Sequence, residues 1–294
     1  MISLPREHRL WVAGGDLCWF EWGAPSPDRP SILFVHATGF HARCWDQVAA
    51  AVPVGTHVIA PDLRGHGRSY RPATLGNWAA TGDDLMPLLD ALPAGQLIGT
   101  GHSMGGVCLV RAAAQRAGRF ARLVLIDPVI FAPEYYAEHQ RDVGDPDAHF
   151  VAKRRNHWTS AAEMIERFAG RFPYSGWDPA VLADYCTHGL VPRSDGDGYE
   201  LACPPRLEAS AYLGSAAFNP HTAAAAIDCP VTVIRARNGT PTGQLDFSLS
   251  PTWPGTASAF RRGTDLYWSD CTHFIPMEAP ARIASLFGTE SPGP

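Results

Sequence analysis

The ten residues LIGTGHSMGG (residues 97–106) support two incompatible readings. In one, Ser103 is a nucleophile held on a sharp turn between a strand and a helix. In the other, Gly99, Gly101 and Gly105 form a glycine-rich turn that cradles a dinucleotide. Both need a strand before and a helix after, because both hold negative charge on backbone N–H groups at a helix N-terminus. The flanking sequence has to decide between them.

The chain has 294 residues, 46% of them hydrophobic, enough for one large α/β domain with an insertion or for two smaller domains. A formal charge of -5 leaves no basic footprint for nucleic acid, and no run of basic residues marks an anionic membrane surface. The opening MISLPREHRLWVAGG has charges where a secretory signal needs an apolar segment, and no later stretch is long enough to span a bilayer. Seven cysteines (Cys18, Cys44, Cys108, Cys186, Cys203, Cys229 and Cys271) lack any C-x-x-C pair, and their odd number argues against a full disulfide framework. These features predict a soluble cytoplasmic protein with reduced thiols, acting on a small molecule. No His-rich or Asp-rich cluster has metal-ligand spacing, so no metal is expected.

The order of elements is informative. RLWV (9–12) and LCWFEW (17–22) are strand-like runs separated by AGGD, a hairpin signal. SILFV (31–35) and HVIA (57–60) are buried strands around a helical pattern at 42–52. A helix over 77–92, a strand over 96–100, a helix over 104–117 and a strand at RLVLI (122–126) follow. This alternation implies a mostly parallel sheet covered on both faces. After Asp127-Pro128 come about a hundred residues with helical and irregular signals and no clear strand, too long for an ordinary connection. They read as an inserted cap. The sheet resumes at VTVIR (231–235) and DLYW (265–268), and 280–287 forms a last helix. The expected division is a core over 1–128 and 228–294, with a helical cap over 129–227.

The dinucleotide reading fails at two points. His102 and Ser103 put side chains where a pyrophosphate needs close backbone approach, and the spacing is not G-x-G-x-x-G. GHSMG (101–105) fits G-x-S-x-G instead, in which flanking glycines relieve crowding around a strained, exposed serine. Three companions support it. HATGF (36–40) follows an apolar strand, and the backbone N–H of Thr38 together with that of Met104 would form an oxyanion hole. DLRGHGRS (62–69) is a charged loop with a structural role, as is His36. CTHFIPME (271–278) places a histidine after the final strand, where this motif's chain order puts the base, so His273 is the expected general base.

With HATGF, DLRGHGRS, GHSMGG and THFIPMEAP in hand, the chain resembles the α/β-hydrolase superfamily over nearly its whole length outside the cap. The resemblance implies an eight-stranded, mostly parallel sheet with a helical lid between strands six and seven, and catalysis without a cofactor. Serine at the nucleophile position points to esterases, lactonases, thioesterases and carbon–carbon bond hydrolases. The expected activity is cleavage of an ester, lactone or thioester of a small apolar substrate through an acyl-enzyme. Carbon–carbon bond hydrolysis and a non-catalytic binding role are the alternatives.

One departure concerns the acid. Many members carry it just after strand seven, where this chain reads RARNGTPTG (235–243) without a carboxylate. Some relatives carry it at the end of strand six, which makes Asp127 the expected acid, with Asp246 its main rival and Asp265 and Asp270 further candidates. In the cap, Tyr135, Tyr136, Trp158, Phe172, Tyr174, Trp177, Tyr185 and Tyr212 are available to line a pocket or to pack the lid. KRR (153–155) reads as a solvated helix face.

Overall fold

In the computed structural model, residues 4–139, 144–239 and 246–288 are described. Eight strands form one sheet: β1 (Arg6–Val12), β2 (Gly15–Trp22), β3 (Ser31–Val35), β4 (Val58–Pro61), β5 (Leu97–His102), β6 (Phe120–Ile126), β9 (Val231–Arg235) and β10 (Gly263–Tyr267). A separate hairpin pairs β7 (Leu190–Pro192) with β8 (Tyr199–Leu201). The sheet order is β1-β2-β4-β3-β5-β6-β9-β10. β1 and β2 run antiparallel, as does β2 with β4, and every pair from β4 to β10 is parallel.

Period-two alternation explains why both faces are covered. Leu33 and Val35 of β3, with Leu123 and Leu125 of β6, face helices Trp78–Asp83, Leu85–Ala91 and Met104–Gln115. Ile32 and Phe34, with Val124 and Ile126, face helices Asp46–Ala51 and Pro280–Ser285 on the other side. There the Phe34 ring stacks on Trp45 at 4.6 Å. The single helix expected over 77–92 is two helices. Pro87 cannot donate to the carbonyl four residues back, and the break falls at Asp84, whose carboxylate is taken by Arg64 and Tyr70.

The segment between β6 and β9 carries helices Pro133–His139, Ala161–Ala169, Pro179–His188, Pro205–Leu213 and His221–Ala225. The expectation of no strand here is corrected by the β7–β8 hairpin, whose three-residue strands are too short to show a period in sequence. Part of the insertion belongs to the sheet's own core: Ile130, Leu207, Ala211, Ala224 and Ile227 pack with the helices on that face. The rest forms an aromatic layer with Phe40 and Phe274. Among the described residues no helix is long and apolar enough to cross a membrane. All seven cysteines are free.

Loops at the carboxyl ends of the strands are cross-tied by buried polar groups. His36 Nε2 accepts the Leu63 N–H at 2.9 Å, and His66 Nε2 accepts the Gly39 N–H at 3.0 Å. Burial holds both imidazoles below their ordinary range, His66 down to about 4, so both are neutral acceptors at physiological pH. Fully buried Asp62 accepts the N–H groups of Ala42 at 2.7 Å and Arg68 at 2.8 Å. Asp62→Ala strands both donors in a dry site. We expect a loss of about 2 kcal/mol of stability, read as a melting temperature lowered by about 4–8 °C. An unchanged melting temperature would show that water reaches these groups.

Candidate active site

Ser103 lies between β5 and helix Met104–Gln115, at φ 55° and ψ -121°. An L-residue there costs about 1–3 kcal/mol, so the surroundings must hold it. They do so by contact. A Cβ on Gly105 would lie 2.3 Å from the Val35 carbonyl oxygen, and one on Gly101 would lie 2.5 Å from the Gly105 carbonyl oxygen. Only glycine at both positions lets the helix approach β3 and β5 this closely.

The Ser103 hydroxyl donates to His273 Nε2 at 3.1 Å, and His273 Nδ1–H donates to Asp127 Oδ2 at 2.7 Å. Asp127 is fully buried, while Ser103 and His273 are 6% and 4% exposed. Asp127 follows β6 with φ 42°, a conformation aspartate tolerates better than most residues. Its Oδ1 accepts the Ala236 N–H at 3.0 Å and the hydroxyls of Ser250 and Thr252. Sequence reading missed these two hydroxyls because SPT (250–252) in a loop carries no motif. His102 Nε2–H donates to the His273 carbonyl at 2.8 Å, and burial pushes its imidazole well below the usual range.

The rival carboxylates lie elsewhere. Asp246 is exposed and accepts from Ser248, Asp265 pairs with Arg235 at 2.7 Å, and Asp270 pairs with Arg282 at 3.0 Å. Of the 235–243 segment, residues 240–243 lie outside the described ones. Thr38 is buried beside the elbow, its hydroxyl 3.3 Å from the Met104 sulfur. Among the described residues, neither the Thr38 nor the Met104 N–H is hydrogen-bonded to a protein acceptor. Such a set offers a hydroxyl with a base on it and a carboxylate fixing that base.

Aromatic rings enclose this centre. Phe40 lies 5.7 Å from Trp177, 5.3 Å from Tyr185 and 6.0 Å from Phe274, and Phe247 lies 6.1 Å from the His273 imidazole and 6.0 Å from Tyr212. Tyr174 backs Trp177 at 4.8 Å. The remaining insertion aromatics do other work: Tyr136 packs on His221, Tyr135 stacks on His139, Trp158 lies under Arg155, and Phe172 is exposed. The KRR stretch corrects an expectation, because Arg154 points inward to buried Glu208 instead of standing on a solvated face. Asp46, Asp184 and His188 converge with ligand atoms within 4.8 Å, but Arg43 neutralises Asp46 and Gln47 donates to Asp184.

Residues 32–286 match the model of the alpha/beta hydrolase family. Lipase LipV of Mycobacterium tuberculosis is 28% identical over 276 residues, 92% of this chain and 96% of the lipase. An esterase of the same organism is 33% identical over 137 residues, 46% of this chain and 43% of the esterase. Among solved structures, a thioesterase domain from the curacin biosynthetic pathway superposes with a TM-score of 0.73 at 19% identity, covering 97% of this chain and 99% of that one. At that identity the likeness speaks to the fold alone. With a family match that takes in the elbow, both cross-tied loops and the final histidine, the chain belongs to the alpha/beta hydrolase family.

Proposed function

We propose that the protein is a cofactor-independent serine hydrolase that cleaves an ester-type acyl bond of a small, apolar substrate. The observation that carries this reading is the continuous hydrogen-bond chain from Ser103 through His273 to fully buried Asp127. The names lipase and esterase borne by the relatives favour carboxylic esters over lactones, thioesters and carbon–carbon bonds.

In this reading residues 129–227 act as a cap over a core formed by 1–128 and 228–294. Ser103 Oγ attacks the substrate carbonyl carbon while His273 Nε2 takes the hydroxyl proton. The carbonyl oxygen becomes an oxyanion on the N–H groups of Thr38 and Met104. Asp127 keeps the Nδ1–H tautomer and stabilises the imidazolium. The imidazolium then returns the proton to the departing alkoxide, leaving an acyl group on Ser103. Water, deprotonated by the same imidazole, releases the acid. Phe40, Phe274, Trp177 and Tyr185 suit an apolar acyl chain and exclude bulk water. Seven free thiols fit a reducing cytoplasm.

Two experiments test this. A fluorophosphonate probe should add to Ser103 and to no other residue, read by intact mass and peptide mapping, and Ser103→Ala should abolish both labelling and hydrolysis of p-nitrophenyl esters. An adduct elsewhere would remove the assignment. Among folded variants, Asp127→Asn should lower kcat by about 10⁴, on the scale of other triad aspartates, while Asp246→Asn stays near wild type. The reverse pattern would move the acid to the loop after β9.

A further inference from the structure

A buried carboxylate beside the proposed oxyanion loop is paired with a half-buried guanidinium. Glu208, on helix Pro205–Leu213, is 3% exposed, and its Oε2 accepts from Arg154 Nη1. Arg154 Nη2 also donates to the Tyr185 hydroxyl at 3.1 Å. The other carboxylate oxygen, Oε1, lies against Gly39, where a built Cβ would sit 2.6 Å from it and where φ is +78°. Gly39 directly follows Thr38. Tyr185 continues the grip: its ring lies 5.3 Å from Phe40, and its carbonyl accepts from His41 Nε2 at 3.1 Å. Cap residues thus hold three successive residues immediately after the proposed oxyanion donor.

A carboxylate in this position has an electrostatic consequence. An oxyanion forming on the Thr38 N–H is repelled by a negative charge seated on the next residue, in a region with little water to screen it. Arg154 cancels that charge. We propose that Arg154 is a positioning residue for the oxyanion loop, its guanidinium neutralising the field of the Glu208 carboxylate that lies beside Gly39, where negative charge develops. The proposal rests on the acyl-transfer reading of Ser103.

The test compares Arg154→Met, Glu208→Gln and the double variant on a short-chain p-nitrophenyl ester at pH 7 and pH 9. Other groups around the pair stay neutral over that range. Burial pushes up the Tyr174, Tyr185 and Tyr212 hydroxyls and the Cys203 thiol, and holds His41 at about 3. Nearby Arg71 is paired with Glu200. In Arg154→Met the buried carboxyl loses its countercharge; burial already pushes it above the usual carboxylate range, so it carries more negative charge at pH 9 than at pH 7. Its kcat should therefore fall about ten- to a hundredfold at pH 9, less at pH 7, with KM within about threefold of wild type.

Glu208→Gln keeps the shape and removes the negative charge, so its kcat should stay within about threefold of wild type, and the double variant within about fivefold. If Arg154→Met does not fold, Arg154→Gln, which retains donors to Glu208 and Tyr185, takes its place. Equal losses in the two single variants, or a double variant at least as impaired as Arg154→Met, would reduce the pair to a structural strut. Wild-type protein that hydrolyses no ester and takes no probe at Ser103 would overturn the acyl-transfer reading and this inference together. Normal wild-type turnover with symmetric losses overturns the inference alone.

Discussion

At Gly105 the backbone passes so close to the carbonyls of Val35 and His36 that a Cβ would lie 2.3 Å and 2.5 Å from their oxygens. That contact sets where the helix after β5 begins, and so where the Ser103 hydroxyl and the Met104 N–H lie relative to the loop after β3. A methyl group there would push the helix outward and separate Met104 from the loop that carries Thr38. The strain at Ser103 persists because the buried layers on both faces of the sheet fix β3, β5 and the helix independently of it.

Around that contact, buried polar groups hold the loops at the carboxyl ends of the strands. Asp127 Oδ1 is occupied by a backbone N–H and two hydroxyls, which leaves Oδ2 for the imidazole. His36 and His66 act as neutral acceptors for N–H groups that no strand could reach. These ties join the loops after β3 and β4, so the residues around Thr38 are braced by the core on one side and by Glu208 and Tyr185 of the insertion on the other.

Much of this was legible in the sequence. Alternating apolar runs identified the parallel strands, since a strand buried on both faces has to be apolar throughout. GHSMG identified the elbow because glycine alone fits positions 101 and 105, and chain order singled out His273. The acid was harder to read. Nothing in Asp127-Pro128 distinguishes a carboxylate facing a histidine 146 positions away from one that caps a turn, and the hydroxyls that orient it are 123 and 125 positions distant. The inward turn of Arg154 was also hidden: its partner Glu208 comes 54 residues later, and a basic triplet has the same composition whether solvated or buried.

The hydrogen bond from His102 to the backbone carbonyl of His273 ties the base to the residue preceding the nucleophile. Thermal displacement of the sheet, or slow drift of the final loop, therefore carries hydroxyl and imidazole in common mode, and little of it appears as a difference between them. The spacing of the reacting atoms behaves as a local property of one short linkage, decoupled from breathing of the domain around it.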